Sequence, residues 1–80
     1  MKSLARNAKQ IGNLIRNERK RKALSQQQLA SIAGLRQASI SAIESGAPNT
    51  KLQTILITLA ALGLEFQITP RSTGDWDIEG

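Results

Sequence analysis

The sequence contains neither cysteine nor histidine among its 80 residues. Without a thiol or an imidazole, the chain has no disulfide, no thiol nucleophile and no side chain with an unperturbed pKa near neutrality. Its serines have no histidine to act as a base, and its glutamates are not spaced to form a pair on one helix face for general acid/base catalysis. The sequence also has no Gly-rich phosphate-binding loop and no cluster of oxygen ligands for a metal. The sequence therefore predicts a protein that is not an enzyme and uses no cofactor or metal.

Aromatic residues are almost absent, with one phenylalanine, one tryptophan and no tyrosine. The hydrophobic fraction of 40% must therefore consist mainly of leucine, isoleucine and alanine, which favours helices over a β-sandwich or barrel. So few stacking surfaces also disfavour RNA as a ligand. No apolar run approaches the roughly 20 residues of a membrane span or the apolar region of a signal peptide. We expect one small, α-rich domain that is soluble and intracellular.

Acidic residues are scarce in the first part of the chain. Residues 1–51 carry ten Lys or Arg side chains against two Glu, whereas residues 65–80 carry one Arg against four acidic side chains. A basic body suits a polyanion, because each cation placed on a phosphate releases condensed counterions, so nucleic acid is the leading candidate partner. The alternative for the densest basic run, residues 19–22, is a solvated helix end favoured by the helix dipole.

Apolar residues at spacings of three and four predict four helices. The helices are expected over about residues 4–23, 26–33, 37–45 and 50–62. Ser25 and Gln28 form a capping-box pattern at the start of the second helix, and Gly34 ends it because glycine enters the left-handed region without a Cβ penalty. Asn49 or Thr50 is expected to cap the fourth helix.

Residues 26–45 have the layout of a helix-turn-helix. Ala30 lets its two helices cross closely, Gly34 permits the turn, and the expected anchors on the core are Leu29, Ile32, Leu35, Ile40 and Ile43. With its isoleucines inward, the third helix presents an outer face of Ala38, Ser41, Ala42 and Ser45, with Gln37 beside them.

That outer face is short-chained and uncharged, whereas an ordinary exposed helix usually carries Glu and Lys pairs. Small residues let the backbone approach base edges, where Gln37 could hydrogen-bond an adenine twice and the Ala38 methyl could touch a thymine methyl. Arg36 could reach a guanine or a phosphate. Gln26 is placed to hold a phosphate through its side chain and backbone N–H, or is a plain first-turn residue.

The motifs LSQQQLA, AGLRQASIS and IESG resemble the Cro and phage-repressor type of helix-turn-helix family, over roughly residues 8–63. The resemblance implies an all-α fold, a compact four-helix domain like that of lambda repressor. It also implies that Gln26 contacts a phosphate, that residues 37–39 read bases, and that Arg19 and Glu44 form a partly buried structural ion pair. The predicted DNA contacts are Arg36, Gln37, Ala38, Ser39 and Ser41 to bases, and Lys22, Gln26, Ser45 and Lys51 to phosphates.

After the fourth helix the pattern changes to a period of two. Leu64, Phe66 and Ile68 alternate with polar residues, which predicts a β-strand over residues 64–69, closed by Pro70. A lone strand is not stable, so we expect it to pair with the same strand of a second copy and form a homodimer on a two-fold axis. The alternatives are a strand against the chain's own helices, or an irregular end.

The run NTKLQTILITLAALGLEFQIT, which follows IESGAP, is similar to the HipB-type antitoxins of the same family. Dimerisation through residues 64–69 would place two recognition helices about 34 Å apart, one turn of B-DNA, and so predicts a palindromic operator. The resemblance to HipB-type antitoxins implies a repressor that controls its own operon and binds a HipA-type Ser/Thr kinase toxin. It also implies a cytoplasmic protein associated with the bacterial nucleoid. The domain would then span 1–69, followed by a flexible acidic tail over 70–80.

In that tail, Trp76 and Ile78 have two interpretations. They could anchor in a pocket on a partner, because an exposed Trp is costly apolar surface, or Trp76 could fold back onto the domain's own core. Two other functions also stay open for the whole chain. One is a protein-only inhibitor that has kept the helix-turn-helix as a scaffold, and the other is a stand-alone phage-like regulator without a toxin.

Overall fold

The computed structural model describes residues 4–70, which form four α-helices in the predicted order. They are α1 (Ala8–Arg21), α2 (Gln26–Ala33), α3 (Gln37–Glu44) and α4 (Leu52–Ala61). The first helix begins later than the expected Leu4, because Asn7 caps it: the Asn7 side chain accepts a hydrogen bond of 2.8 Å from the backbone N–H of Gln10.

Both ends of α2 have the predicted chemistry. The Ser25 hydroxyl accepts from the backbone N–H of Gln28, and the Gln28 side chain accepts from the backbone N–H of Ser25, so the capping box is complete. At the other end, Gly34 adopts a φ of 71°, in the left-handed region. The backbone N–H of Leu35 then donates to the Ala30 carbonyl at 2.8 Å and closes the turn.

The start of α4 differs from the prediction. Lys51, rather than Asn49 or Thr50, is the N-cap residue, and it makes no side-chain capping hydrogen bond. The Thr50 hydroxyl is used elsewhere, since it donates to the carbonyl of Ala47 at 3.2 Å and stabilises the preceding loop. The first N–H groups of α4 are therefore left without a side-chain cap.

One hydrophobic core collects side chains from all four helices. Its buried members are Ile15, Leu29, Ala30, Ile40, Ile43, Leu59 and Leu62. The sequence predicts Ile32 among them, but it is 58% exposed, because α2 buries the stripe of Leu29 and Ala30, and Ile32 lies roughly 100° around the helix from it. On α4, Leu52 and Leu56 are also exposed, while Thr58 is fully buried and donates its hydroxyl to the Thr54 carbonyl.

Close packing of α1 against the end of α3 depends on Gly12. A Cβ atom at this position would lie 2.3 Å from the carbonyl oxygen of Ile43 and 2.9 Å from that of Glu44. Gly46, with a φ of 83°, approaches α1 in the same region, since a Cβ there would lie 2.9 Å from the Cα of Lys9. Because these glycines have no side chain, the last turn of α3 packs directly against α1.

The β-strand predicted over residues 64–69 is not formed in the described chain. Leu64 packs against the core and its backbone N–H donates to the Leu59 carbonyl, but the rest of the segment follows an irregular path. Phe66 is 53% exposed and Ile68 is 91% exposed. The physical reason is that a strand needs a neighbour for its backbone groups, and residues 4–70 of a single chain supply none. Trp76 and Ile78 lie outside the described residues.

Candidate nucleic-acid interface

The outer face of α3 is formed by small and uncharged side chains. Gln37, Ala38 and Ser41 are exposed, Ser39 is half-buried, and Ile40 on the opposite side is fully buried. The helix is therefore fixed to the core along one side and presents short side chains to solvent along the other. A surface of this kind allows the helix backbone to approach base edges in a major groove.

Arg36 precedes α3 as its N-cap residue and is exposed. No side chain caps the helix at this end. The first N–H groups of α3 and the Arg36 guanidinium therefore lie at the same helix end as the Gln37 amide. This end of α3 therefore carries the permanent positive charge of Arg36, the donors of the free N–H groups, and the donor and acceptor of the Gln37 amide. These are the kinds of group that contact guanine, adenine and phosphate.

Arg19 of α1 and Glu44 of α3 form a buried ion pair. The Arg19 Nε donates to Glu44 Oε2 at 2.6 Å, and its Nη2 donates to Oε1 at 3.0 Å. The Arg19 Nη1 also donates to the carbonyl oxygen of Leu24 at 2.7 Å, which ties the loop between α1 and α2 to the pair. Only 1% of the Glu44 side chain is exposed. This bidentate pair therefore holds α1, the loop and α3 together.

Arg16 was not identified from the sequence, although it extends the same ion pair. Its Nε lies 3.6 Å from Glu44 Oε1, and its Nη2 donates to the Glu44 carbonyl oxygen at 3.4 Å. The signal was its position three residues before Arg19, which places both cations on one face of α1. Glu44 therefore faces two arginines at the end of α3.

The protonation of Glu44 follows from these contacts. Burial raises the pKa of its carboxyl group, but hydrogen bonds from Arg19 and Gln26, with the positive charges of Arg19 and Arg16, outweigh burial and lower the pKa below its ordinary value. The hydrogen bond to Glu44 conversely raises the pKa of Arg19. Both groups are therefore charged at neutral pH.

Gln26 joins the ion pair to the outer face of α3. Its Nε2 donates to Glu44 Oε1 at 3.1 Å, and its Oε1 accepts from the Nε2 of Gln37 at 3.5 Å. Gln26 is the first residue of α2, so its backbone N–H has no intrahelical partner. The predicted phosphate residue and the predicted base-reading residue are thus brought together. We name the group of Arg16, Arg19, Gln26 and Glu44 the Glu44 cluster.

The other predicted phosphate residues lie on separate elements. Ser45 follows α3 and donates its hydroxyl to the Ala42 carbonyl at 2.9 Å. Lys51 is exposed at the start of α4, where it lines a shallow concavity together with Ser39 of α3. The ammonium group of Lys22, just after α1, lies 3.9 Å from the Glu18 carboxylate, which partly neutralises the positive charge of Lys22.

Neither a metal site nor a membrane span is found in the part of the chain that the structure describes. Within residues 4–70, no three Asp or Glu side chains group together as metal ligands. No helix in the same residues is long and apolar enough to cross a membrane.

Residues 15–68 match a protein family described as helix-turn-helix. A protein of Haemophilus influenzae described as an uncharacterized HTH-type transcriptional regulator is 40% identical over 52 residues, which are 65% of this chain and 53% of that protein. The chain therefore spans about half the length of this curated relative.

Solved structures with the same fold include several of HipB. One, a complex of a HipB variant with an O2 20mer, has a TM-score of 0.81 and 27% identity, covering 88% of this chain and 97% of that one. Another, described as a HipA-HipB-O2-O3 complex, has a TM-score of 0.80 and 28% identity, covering 86% and 97%. With the four-helix fold, the turn at Gly34 and the family match over most of its length, the chain belongs to the helix-turn-helix family.

Proposed function

We propose that this protein is a sequence-specific DNA-binding transcriptional repressor that reads its operator with α3. The observation that carries the proposal is the exposed face of α3, where Gln37, Ala38 and Ser41 stand out from a helix fixed to the core. Arg36, Gln37, Ala38, Ser39 and Ser41 are the proposed base-reading residues. Gln37 supplies the donor and acceptor that adenine requires, and the small neighbours allow close approach.

The proposed phosphate contacts surround this helix. Gln26 begins α2, Ser45 follows α3, Lys51 precedes α4, and Lys22 follows α1. Gln26 and Lys51 lie at helix N-termini, where backbone N–H groups and the helix dipole favour a phosphate. Ser45 and Lys22 lie at helix C-termini, so a phosphate contact there would depend on the Ser45 hydroxyl and on the positive charge of Lys22. The basic balance of residues 1–51 supplies the sequence-independent part of the affinity.

The proposed repressor is a homodimer whose two copies pair through residues 64–69. Phe66 and Ile68 are apolar and exposed in a segment with unpaired backbone, and Leu52 and Leu56 of α4 are exposed apolar residues as well. A second copy would supply both the missing strand partner and a cover for Leu64, Phe66 and Ile68. Two recognition helices about 34 Å apart would then read a palindromic operator.

The antitoxin function is proposed from likeness to HipB. The fold matches HipB structures at TM-scores of 0.80 and 0.81, and one of those structures is described as containing HipA as well. By analogy, this chain would bind a HipA-type kinase toxin, control its own operon and act in the cytoplasm on nucleoid DNA. Trp76 and Ile78, in the acidic tail over 70–80, are the proposed partner contacts.

A stand-alone regulator is the second candidate. It is favoured by the Haemophilus influenzae relative, whose description names transcriptional regulation alone. The two candidates share the operator and the dimer, so they differ only in the toxin. A pull-down with the full chain and with Trp76→Ala separates them: specific retention of a kinase by the full chain alone supports the antitoxin, and no kinase in either supports the stand-alone regulator.

DNA binding itself is tested with the duplex upstream of the protein's own gene against a scrambled duplex of equal length. Salt at about 150 mM suppresses the non-specific component of binding. We expect a preference of about a thousandfold or more, with two copies per site. Equal binding to both duplexes would overturn the proposal and favour a protein-only inhibitor.

A further inference from the structure

The outer side of α4 is apolar and has no cover in the part of the chain that the structure describes. Leu52 is 60% exposed, Leu56 is 40% exposed and Ile57 is 36% exposed, and Ala60 is exposed beside them. No charged residue occurs over positions 52–64. A helix that is apolar around most of its circumference is typical of buried positions, so we expect something to cover this side. We name Leu52, Leu56, Ile57 and Ala60 the α4 outer face.

The proposed dimer does not account for the α4 outer face. Pairing through residues 64–69 covers side chains that follow α4, not those that lie on it. On α2, Ile32 is the one large apolar side chain that is exposed. Among residues 4–70, the α4 outer face is therefore the largest group of exposed apolar side chains that the proposed dimer leaves without a partner.

Residues 71–80 carry the side chains that fit this face. Their sequence, RSTGDWDIEG, alternates acidic residues with Trp76 and Ile78. The acidic members are Asp75, Asp77 and Glu79. In an extended segment, this alternation places the two apolar side chains on one side and the carboxylates on the other. Such a segment covers an apolar helix face and keeps its own charges in solvent.

The chain is long enough for this segment to return along α4. Leu64 is anchored beside the end of α4, where its backbone N–H donates to the Leu59 carbonyl at 2.8 Å. Trp76 follows Leu64 by twelve residues, which span about 40 Å when extended. Leu52 precedes Leu59 by seven residues, about 10 Å along the helix. The intervening run PRSTG is typical of a turn, which favours a reversal of the chain.

Charge favours the same placement. Lys51 is exposed at the start of α4, and α4 has neither an acidic residue in its first turn nor a side-chain cap. The ammonium group of Lys51 and the first N–H groups of α4 therefore attract negative charge. Residues 71–80 carry three acidic side chains and one Arg, whereas residues 1–51 carry ten basic and two acidic side chains. This attraction directs the acidic segment to the N-terminal end of the α4 outer face.

We propose that residues 71–80 fold back onto the α4 outer face through Trp76 and Ile78 and thereby lower the affinity of the protein for DNA. The carboxylates of this segment then lie over Lys51, a proposed phosphate contact. Lys51 and Ser39 line the same concavity, so negative charge held there repels a DNA backbone that approaches α3. A partner that binds Trp76 would withdraw the segment and free this surface. The effect on DNA rests on the proposed function, whereas the docking of the segment does not.

Trp76 reports on the docking, because it is the single Trp of the sequence and there is no Tyr. Its emission is measured in the full chain and in a peptide of residues 71–80. We expect emission at shorter wavelength and weaker quenching by acrylamide in the full chain. The double variant Leu52→Ser, Leu56→Ser should shift both quantities toward those of the peptide. Ile32→Ser is the matched control, since Ile32 is 58% exposed on another helix, and it should leave both unchanged.

The effect on DNA is tested with Trp76→Ser. This change removes the apolar anchor and keeps the net charge, so a gain in affinity cannot come from the loss of a negative charge. We expect about tenfold tighter binding to a preferred duplex, because the apparent affinity scales with the fraction of molecules whose binding surface is free. Ile32→Ser should bind as the wild type does. Titration of the wild type with duplex should shift the Trp76 emission toward that of the peptide.

The results that would overturn the inference are distinct. Trp76 emission equal to that of the peptide would refute the docking. A shielded Trp76 that is unaffected in a folded Leu52→Ser, Leu56→Ser variant would place the segment elsewhere. Weaker dimerisation of that variant in analytical ultracentrifugation, without a change in emission, would assign the α4 outer face to a second copy. If thermal unfolding shows that the variant is not folded, the comparison of full chain and peptide decides the docking.

The two parts of the inference fail separately from the proposed function. Unchanged affinity in Trp76→Ser, with wild-type DNA binding intact, would refute the effect on DNA and leave the proposed function standing. No preference of the wild type for any duplex would refute the proposed function and the effect on DNA together, while the fluorescence of Trp76 still decides the docking.

Discussion

The Glu44 cluster and the C-terminal segment, residues 64–70, differ in whether one chain supplies the partners that their side chains and backbone groups need. In the Glu44 cluster, the buried carboxylate has two arginines and an amide within reach, all from the same chain. In the C-terminal segment, Ile68 is 91% exposed and the backbone beyond Leu64 has no strand partner in the described chain. The first region is complete within one chain, whereas the second leaves apolar side chains exposed and is the segment through which we propose that two copies pair.

The largest expected effect is that of Glu44→Ala. This change leaves Arg19 buried without its carboxylate, so we expect a loss of about 3 to 5 kcal/mol in the free energy of unfolding. Urea denaturation followed by circular dichroism measures it. Glu18→Ala is the matched control, because it removes a surface ion pair with Arg21 and should leave the midpoint close to wild type. A small loss in Glu44→Ala would show that the ion pair is not the main support of α3.

The same ion pair predicts a dependence on pH. Folding lowers the pKa of Glu44, so its contribution is fully present above the ordinary carboxyl pKa and is lost as the pH falls through the lowered, folded-state value. Stability of the wild type should therefore decrease in acid more steeply than that of Glu44→Ala. Thermal unfolding of both proteins over a series of acidic buffers tests this, and parallel profiles would contradict it.

Gly12→Ala should have the next largest effect on the monomer. The new methyl group would lie 2.3 Å from the Ile43 carbonyl oxygen, so α1 must move away from the end of α3, at a cost of about 1 to 3 kcal/mol. Gly34→Ala is the control with a different cause: it meets no atom within 4 Å but is strained at a φ of 71°, which costs about 1 kcal/mol. A larger loss in Gly34→Ala would show that α1 accommodates the methyl group.

The C-terminal segment is tested by a double substitution, Phe66→Ser with Ile68→Ser. Both side chains are exposed in the monomer, so its unfolding should change little, whereas dimerisation should weaken by tenfold or more because about 1.5 kcal/mol or more of burial is lost per side chain. Analytical ultracentrifugation measures the dimer. Gln67→Ser is the control in the same segment. An unchanged dissociation constant would place the dimer interface elsewhere.

The smallest expected effect is that of Lys22→Ala. If Lys22 contacts a phosphate, all sequences should bind more weakly by the same factor, and the slope of log affinity against log salt should fall by about 0.9. Titrations of preferred and scrambled duplexes at several salt concentrations measure both quantities. A slope equal to that of the wild type would leave Lys22 as a partner of Glu18 alone.

Local signals were sufficient for the helices and for the turn between α2 and α3. The spacing of apolar residues, the Ser25 capping box and Gly34 each act within a few residues, so their structural consequences could be read along the chain. They were insufficient for Ile32, because burial depends on which face of α2 the other helices cover. They were also insufficient for the cap of α4, because the Thr50 hydroxyl donates to the Ala47 carbonyl instead. The strand at residues 64–69 was wrong for the single chain, since its neighbour is not in the local sequence.

Periodicity, capping and charge are properties of neighbouring residues, and they were enough to predict four helices, a basic body, a helix-turn-helix and an uncharged face on α3. Only the tertiary structure showed that Gly12 seats α3 on α1, that Arg16 joins the ion pair, and that Gln26 connects Glu44 to Gln37. These contacts join residues on different helices, such as Gln26 and Glu44, 18 positions apart. Their geometry is set by how the helices pack, which no local pattern specifies.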